Sequence, residues 1–249
     1  MLVAIHQPEY FPWLGFFEKL IRADVFVILD DVQFSKGDFH NRTRVKGAEG
    51  PQWLSVPVVH RFPQRINEVK LSDTNWREKH WRSLVSCYSG SRYFREFATA
   101  LHDFFGQPRN QLIDVNIAAL DLAIRALKVR CKYIFSSDLK VKGTKSELVL
   151  NICKKLGATG YYSGRTGSAY LNLSSFEQAR IEVQVQNFRH PFYEQRFCKT
   201  GFISNLSVID LLFNHGSEGR DLLSSGVATS DRDASDVEQN SISNCCPSR

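Results

Sequence analysis

The chain has 249 residues, 43% of them apolar, and a formal net charge of +6, enough for one α/β domain with a full core or for two small ones. No apolar stretch approaches the roughly 20 residues of a membrane span, and residues 2–5 are too few for a secretory signal, so a soluble cytoplasmic protein is expected. Six cysteines without a C-x-x-C pair argue against zinc or redox motifs, and the isolated ones read as small buried hydrophobes.

Residues 2–5 and 25–29 are uninterrupted apolar runs rich in β-branched side chains, the pattern of strands buried on both faces of a parallel sheet. Between them, Pro12 marks a first helical turn, and Trp13, Leu14, Phe17, Leu20 and Ile21 recur at helical spacing. The segment reads as a strand–helix–strand crossover. "QFSKGDFHNRTRVKGAEG" then reads as a polar, basic loop. "WLSVPV" alternates Leu54, Val56 and Val58 as a one-face strand, Pro57 places it at an edge, and "INEVKL" is its expected partner.

The middle of the chain is helical. "SDTNWREKHWRSLVSCY" puts Trp76, His80 and Leu84 on one face, and "SRYFREFATALHDFF" and "NQLIDVNIAALDLAIRALKV" follow. Alternation returns with the strand "CKYIF", the helix "GTKSELVLNICKKLG" closed by Gly157, and the strand "ATGYYS". In "RIEVQVQ" Glu182, Gln184 and Gln186 form a wet face. "SNLSVIDLLFNHG" is a helix stopped at Gly216. The predicted fold class is α/β, a mostly parallel Rossmann-like sheet with a helical insertion at about 74–128. A single domain is expected over 1–216. Residues 217–249 read as a polar, mostly disordered tail that carries Cys245 and Cys246.

Ligands of an open parallel sheet bind outside the carboxyl ends of its strands. Four predicted strands end on polar sequence: His6-Gln7, Asp30-Asp31, Ser136-Ser137-Asp138 and Gly164-Arg165. Parallel strands would bring all four to one rim. His6 serves there either as a strand cap or as a general base, since an imidazole titrates in the useful range. Asp30 and Asp31 either cap turns or act on the site, orienting His6 or holding Mg²⁺. Arg42, Arg44 and Lys46, two apart, line one side of an extended segment and suit phosphate, as does a solvated basic loop. The glycines of Gly164-Arg165-Thr166-Gly167 let backbone N–H groups approach an anion. Tyr10, Phe11 and Trp13 read first as packing residues, with Tyr10 retained as a candidate stacking contact.

The opening "IHQPEYFPWLGFFEKLIRADVFVILDDVQFSK", the "NRTRVK" loop, "WLSVPV", "YYSG", "QNFRHPFYEQ" and "LSVIDLLFNHG" together resemble the WbqC-like family across nearly all of the predicted fold. "KGDFHNRTR" departs from the more basic or aromatic loop usual there, and the tail falls outside the resemblance. The resemblance implies a role among bacterial surface-polysaccharide (O-antigen) proteins and an acyl or aminoacyl (glycine-type) transfer onto a sugar. It carries over His6, Gln7, Pro8, Asp30, Asp31, Gln33, Asn41, Arg42 and Arg44 as candidate positions. A weaker, architectural resemblance is to HIGH-type nucleotidyltransferases, whose paired histidines this chain lacks.

The site expected is therefore catalytic His6, Asp30 and Asp31, with substrate-binding Gln7, Tyr10, Gln33, Asn41, Arg42, Arg44, Ser136, Ser137, Gly164 and Arg165. No dedicated metal ligands are assigned, and Mg²⁺ is the only cofactor suggested. The expected partner is a small anionic ligand such as a nucleotide or nucleotide sugar. Nucleic acid is disfavoured, because the positive charge is dispersed and no ribonucleoprotein motif, zinc finger or Lys/Arg run is present. A nucleotidyltransferase and a non-catalytic nucleotide-sugar-binding protein are the alternatives to the transferase.

Overall fold

A computed structural model of the chain describes residues 1–72 and 75–225. The tail beyond, with Cys245 and Cys246, lies outside the described residues. The first crossover forms as its pattern dictates: strand β1 (Leu2–His6), helix α1 (Leu14–Arg22) and strand β2 (Val25–Ile28). The helix starts two residues past Pro12, because Trp13 stays extended and bridges to Ser207. A hairpin, β3 (Arg42–Gly47) and β4 (Gly50–Ser55), follows, then the short antiparallel pair β5 (Val58–Val59) and β6 (Lys70–Leu71). Helices α2 (Trp76–Tyr88), α3 (Phe94–Gly106) and α4 (Leu112–Ala126) make up the helical middle.

The alternation resumes with β7 (Tyr133–Phe135), α5 (Ser136–Leu139), α6 (Lys145–Leu156), β8 (Gly160–Ser163), α7 (Arg165–Ser168), α8 (Leu173–Gln178) and β9 (Glu182–Val185). It ends in α9 (Val208–His215) and α10 (Gly219–Ser225). The main sheet has the order β7-β2-β1-β8-β9 and every neighbouring pair is parallel. The chain thus has an α/β fold with a parallel, Rossmann-like sheet.

Period-two alternation divides the core into two layers. Ala4, Phe26, Ile28 and Tyr162 point to the side covered by α1, the three middle helices and α9. Val3, Ile5, Val25, Val27 and Tyr161 point to the other side, against Val149, Ile152 and Cys153 of α6 and Phe176 of α8. Strands this apolar on both faces can sit only in the middle of such a sandwich.

Several expectations need correction. Residues 42–47, taken for loop, are β3: Thr43 and Val45 are buried on one face while Arg42 and Arg44 project from the other. Lys46 is buried too, because its Nζ donates to the Gly201 carbonyl at 2.6 Å and to Gln195 Oε1 at 3.3 Å. At the end of β9 the wet face reverses. Val185 is exposed, whereas Gln186 is buried with its amide donating to the Gly15 carbonyl and Glu18 Oε2, both at 2.7 Å. Cys87 and Cys153 are buried as expected, but Cys198 is exposed. Structure also continues past Gly216, since α10 packs on α1 and buries Leu223.

Candidate active site

Because the main sheet is parallel, the carboxyl ends of β1, β2, β7 and β8 share one edge. The residues gathered there divide into two clefts, one lined by charges of both signs and the other by negative ones only among the described residues. One, about 820 Å³, opens beside β1 and β8 and is lined by His6, Gln7, Glu9, Lys19, Asp38, Arg44, Gly164 and Arg165 with aromatic walls from Trp13, Phe39, Tyr161, Tyr170 and Phe188. The other, about 530 Å³, lies beside β2 and β7. Asp30, Asp114, Asp121 and Asp138 line it, and no lysine or arginine does among the described residues.

Asp30 belongs on the second side, and both its carboxylate oxygens are engaged. Asp30 is buried; its Oδ1 accepts from Ser137 N at 3.0 Å and Ser136 Oγ at 3.1 Å, and its Oδ2 from Ser137 Oγ at 2.8 Å and Asn67 Nδ2 at 3.0 Å. Asp31 Oδ1 accepts from Ser136 Oγ as well. These bonds tie the end of β2 to the start of α5. No hydrogen bond links either aspartate to His6 among the described residues. Nor is there a group of three or more His, Cys, Asp or Glu arranged to hold a metal. In the structure Asp30 and Asp31, with Ser136 and Ser137, brace the end of β2, and Asp30 and Ser137 also line the acidic cleft.

Other candidates also resolve into packing. Tyr10 is buried at 1% exposure and its hydroxyl bonds His80 Nδ1 at 2.9 Å, so it does not reach the cleft. Asn41 is buried, with Nδ2 donating to the Val56 carbonyl and Oδ1 accepting from Gly37 N. Gln33 is exposed and bonds the Phe34 carbonyl. Arg42 stacks over Trp53 with its guanidinium carbon 4.1 Å from the ring centroid, outside the cleft lining. Arg44, on the same face of β3, does line the cleft and donates to the Ser204 and Asn205 carbonyls. The structure thus brings His6, Gln7, Arg44, Gly164 and Arg165 together.

His6 ends β1 with its ring edge-on to Phe16. Its Nδ1–H donates to the Gln7 carbonyl at 3.0 Å, which leaves Nε2 as the basic nitrogen, without a protein partner among the described residues. Burial, and next the Lys19 ammonium, push its pKa down to about 3, with the Gln7 carbonyl bond acting the other way. The ring is neutral at physiological pH. Gln7 is itself oriented: His40 donates Nε2–H to Gln7 Oε1 at 2.8 Å, while His40 Nδ1 accepts from Ser35 N.

Two residues that the sequence reading passed over complete the floor. Lys19 is buried on α1, donates Nζ to the Ile5 carbonyl at 3.1 Å, and is pushed down to about 8 by burial against the pull of Glu9 and Glu18. Glu9 is buried beside it and pushed up to about 8 by burial and then Asp38, with Lys19 opposing. Lys19 was hidden inside an amphipathic helix pattern, and Glu9 inside an aromatic loop. The signal available was a charge at a position that the surrounding apolar periodicity marks as buried.

The loop from Gln7 to Trp13 is firmly held. Phe11 adopts φ 43°, a left-handed conformation costly for a bulky residue. It is fixed because its carbonyl accepts from both Thr43 Oγ1 and Ser207 Oγ at 3.0 Å, and Tyr10 N bonds the Phe39 carbonyl. The Trp13 ring lies so close over Gly15 that a Cβ there would meet it at 2.1 Å. Only glycine permits that wall of the cleft.

Comparison with known proteins places the chain. The WbqC-like protein family model matches residues 7–222. The uncharacterized protein Rv1507c of Mycobacterium tuberculosis is 34% identical over 225 residues, which is 89% of this chain and 96% of that protein. No solved structure matches. The family match begins just past β1 and His6 and takes in α1, the hairpin and strands β2 to β9, and the chain belongs to the WbqC-like protein family.

Proposed function

We propose that the His6 cleft transfers an acyl or aminoacyl group to the amino group of a nucleotide-activated or lipid-linked sugar, a step in bacterial surface-polysaccharide (O-antigen) assembly. The observation that carries this reading is a neutral histidine, with Nδ1–H committed and Nε2 without a protein partner, in a cleft that also presents Arg44 and Arg165. The opposite cleft offers only aspartates as charged lining among the described residues and would repel phosphate.

In this mechanism Arg44 and Arg165 hold the phosphates. The amine attacks the acyl carbonyl, the C–N bond forms, and His6 Nε2 takes the ammonium proton. The low basicity of the empty-site ring rises when an anion enters, because the burial that disfavours imidazolium also strengthens its attraction to a phosphate or a tetrahedral oxyanion. The backbone N–H groups of Gly164 and Arg165 at the end of β8 meet that oxyanion. The leaving group departs as the carbonyl re-forms.

The test is incubation of the protein with a nucleotide amino sugar and activated acyl or aminoacyl donors, with the mass of the sugar as readout. The wild type yields acylated sugar, and His6→Ala, with unchanged melting temperature, loses about 10²–10⁴-fold in turnover, the usual contribution of a general base. A folded His6→Ala protein with full turnover overturns the assignment. Pyrophosphate release from nucleoside triphosphates and Mg²⁺, without acylation, would make the cleft a nucleotidyltransferase site. Tight binding with no turnover under any donor would make it a nucleotide-sugar-binding site.

A further inference from the structure

Glu9 Oε2 is a buried oxygen with no hydrogen-bond partner among the described residues, on a side chain only 9% exposed. Leaving such an atom unsatisfied costs about 1–3 kcal/mol, and native structures rarely tolerate it without a reason. The nearest charged or titratable groups are His6, whose Nδ1 stands 3.8 Å from Glu9 Oε1, Lys19 and Asp38. None of them bonds Oε2. The His6 Nδ1 hydrogen goes to the Gln7 carbonyl, Lys19 Nζ donates to the Ile5 carbonyl, and Asp38 Oδ1 accepts from Phe39 N. Glu9 nevertheless lines the cleft, so a ligand there can reach it.

The geometry points to Glu9 as the group that receives the ligand's amine: Oε2 accepts an N–H from the amino group that reacts at His6. This rests on the function proposed above and names the feature by which the site would choose its acceptor. Two acidic residues, Glu9 and Asp38, favour a cationic or strongly donating group at this end. Arg44 and Arg165 favour an anion elsewhere in the cleft. The ligand class that satisfies both is a sugar carrying an amine and a phosphate. A hydroxyl in place of the amine offers one hydrogen, no positive charge and a weaker bond to a carboxylate. Lys19 keeps the corner from being strongly negative, so an uncharged amine also remains compatible with it, as the attack requires.

The test compares glucosamine 6-phosphate with glucose 6-phosphate, which differ only in amine for hydroxyl, by calorimetric titration of the full-length protein. The wild type is expected to bind the amino sugar at least about tenfold more tightly, as a site built around a specific polar partner does. Glu9→Gln keeps the size of the side chain but cannot ionise to meet an ammonium, and is expected to bring the two affinities within about twofold of each other. Equal affinities in the wild type, or a preference that survives in a folded Glu9→Gln protein, overturn the role of Glu9 and leave the His6 cleft standing. Failure of both sugars to bind the folded wild type removes the phosphate-sugar cleft itself, and this inference with it.

Discussion

The carboxylate of Asp30 accepts four hydrogen bonds, from Ser136, Ser137 and Asn67, and holds the end of β2 to α5. Removing it strands those donors, so Asp30→Ala should destabilise the fold by about 1–3 kcal/mol. That corresponds to a melting temperature several degrees lower, seen in a thermal melt. Ligand affinity at the His6 cleft should be unchanged. A stable Asp30→Ala protein that has lost binding would restore the aspartate to the site. The sequence made a polar strand end legible, since the apolar run stops at Leu29. It did not reveal which neighbour the carboxylate would meet, because Ser136 and Ser137 lie more than a hundred residues away. Glu9 and Lys19 escaped for the same reason: a buried charge is recognisable only once its surroundings are assembled.

Between elements, His80 fastens α2 to the rest of the fold. Its Nε2–H donates to the Ser55 carbonyl at the end of β4, and its Nδ1 accepts from the Tyr10 hydroxyl at 2.9 Å. Both bonds suit the neutral ring, and burial pushes the pKa down to about 4, with the Ser55 bond opposing. The native state therefore resists protonation while the unfolded chain takes a proton near pH 6.5. This contribution is full above pH 6.5 and is lost as pH falls toward about 4. Between pH 7 and pH 5 the loss is on the order of 2 kcal/mol. Urea melts of wild type and His80→Asn at the two pH values should show the stability gap shrinking by that amount at pH 5, whereas a gap independent of pH would mean that His80 is not held neutral.

At the same scale, the parallel strands and the amphipathic helices were legible because burial on both faces leaves an uninterrupted apolar run. The β3–β4 hairpin was not. Thr43 and Val45 carry the alternation, but Arg42, Arg44 and Lys46 gave it the composition of a loop, and only long-range partners such as Gln195 and Gly201 make a buried Lys46 tolerable. The strand after α8 went wrong at Gln186 because an amide buried against Glu18 and Gly15 has the composition of a wet face.

Across the whole molecule, one sheet edge carries two clefts, one of mixed charge beside β1 and β8 and one acidic beside β2 and β7. The predicted rim was right in topology, since all four polar strand ends do emerge together. Those ends are distributed over two clefts, β1 and β8 on one and β2 and β7 on the other. Among the described residues no helix is long and apolar enough to cross a membrane.

On the function proposed above, the His6 side of that edge holds an anionic sugar. A crystal structure of the protein grown with a nucleotide amino sugar tests it most directly. The ligand is expected in the cleft between β1 and β8, its phosphates on Arg44 and Arg165 and its sugar amine beside His6 and Glu9. A ligand seated instead among Asp30, Asp114 and Asp121 would contradict it, as would an empty His6 cleft at saturating concentration.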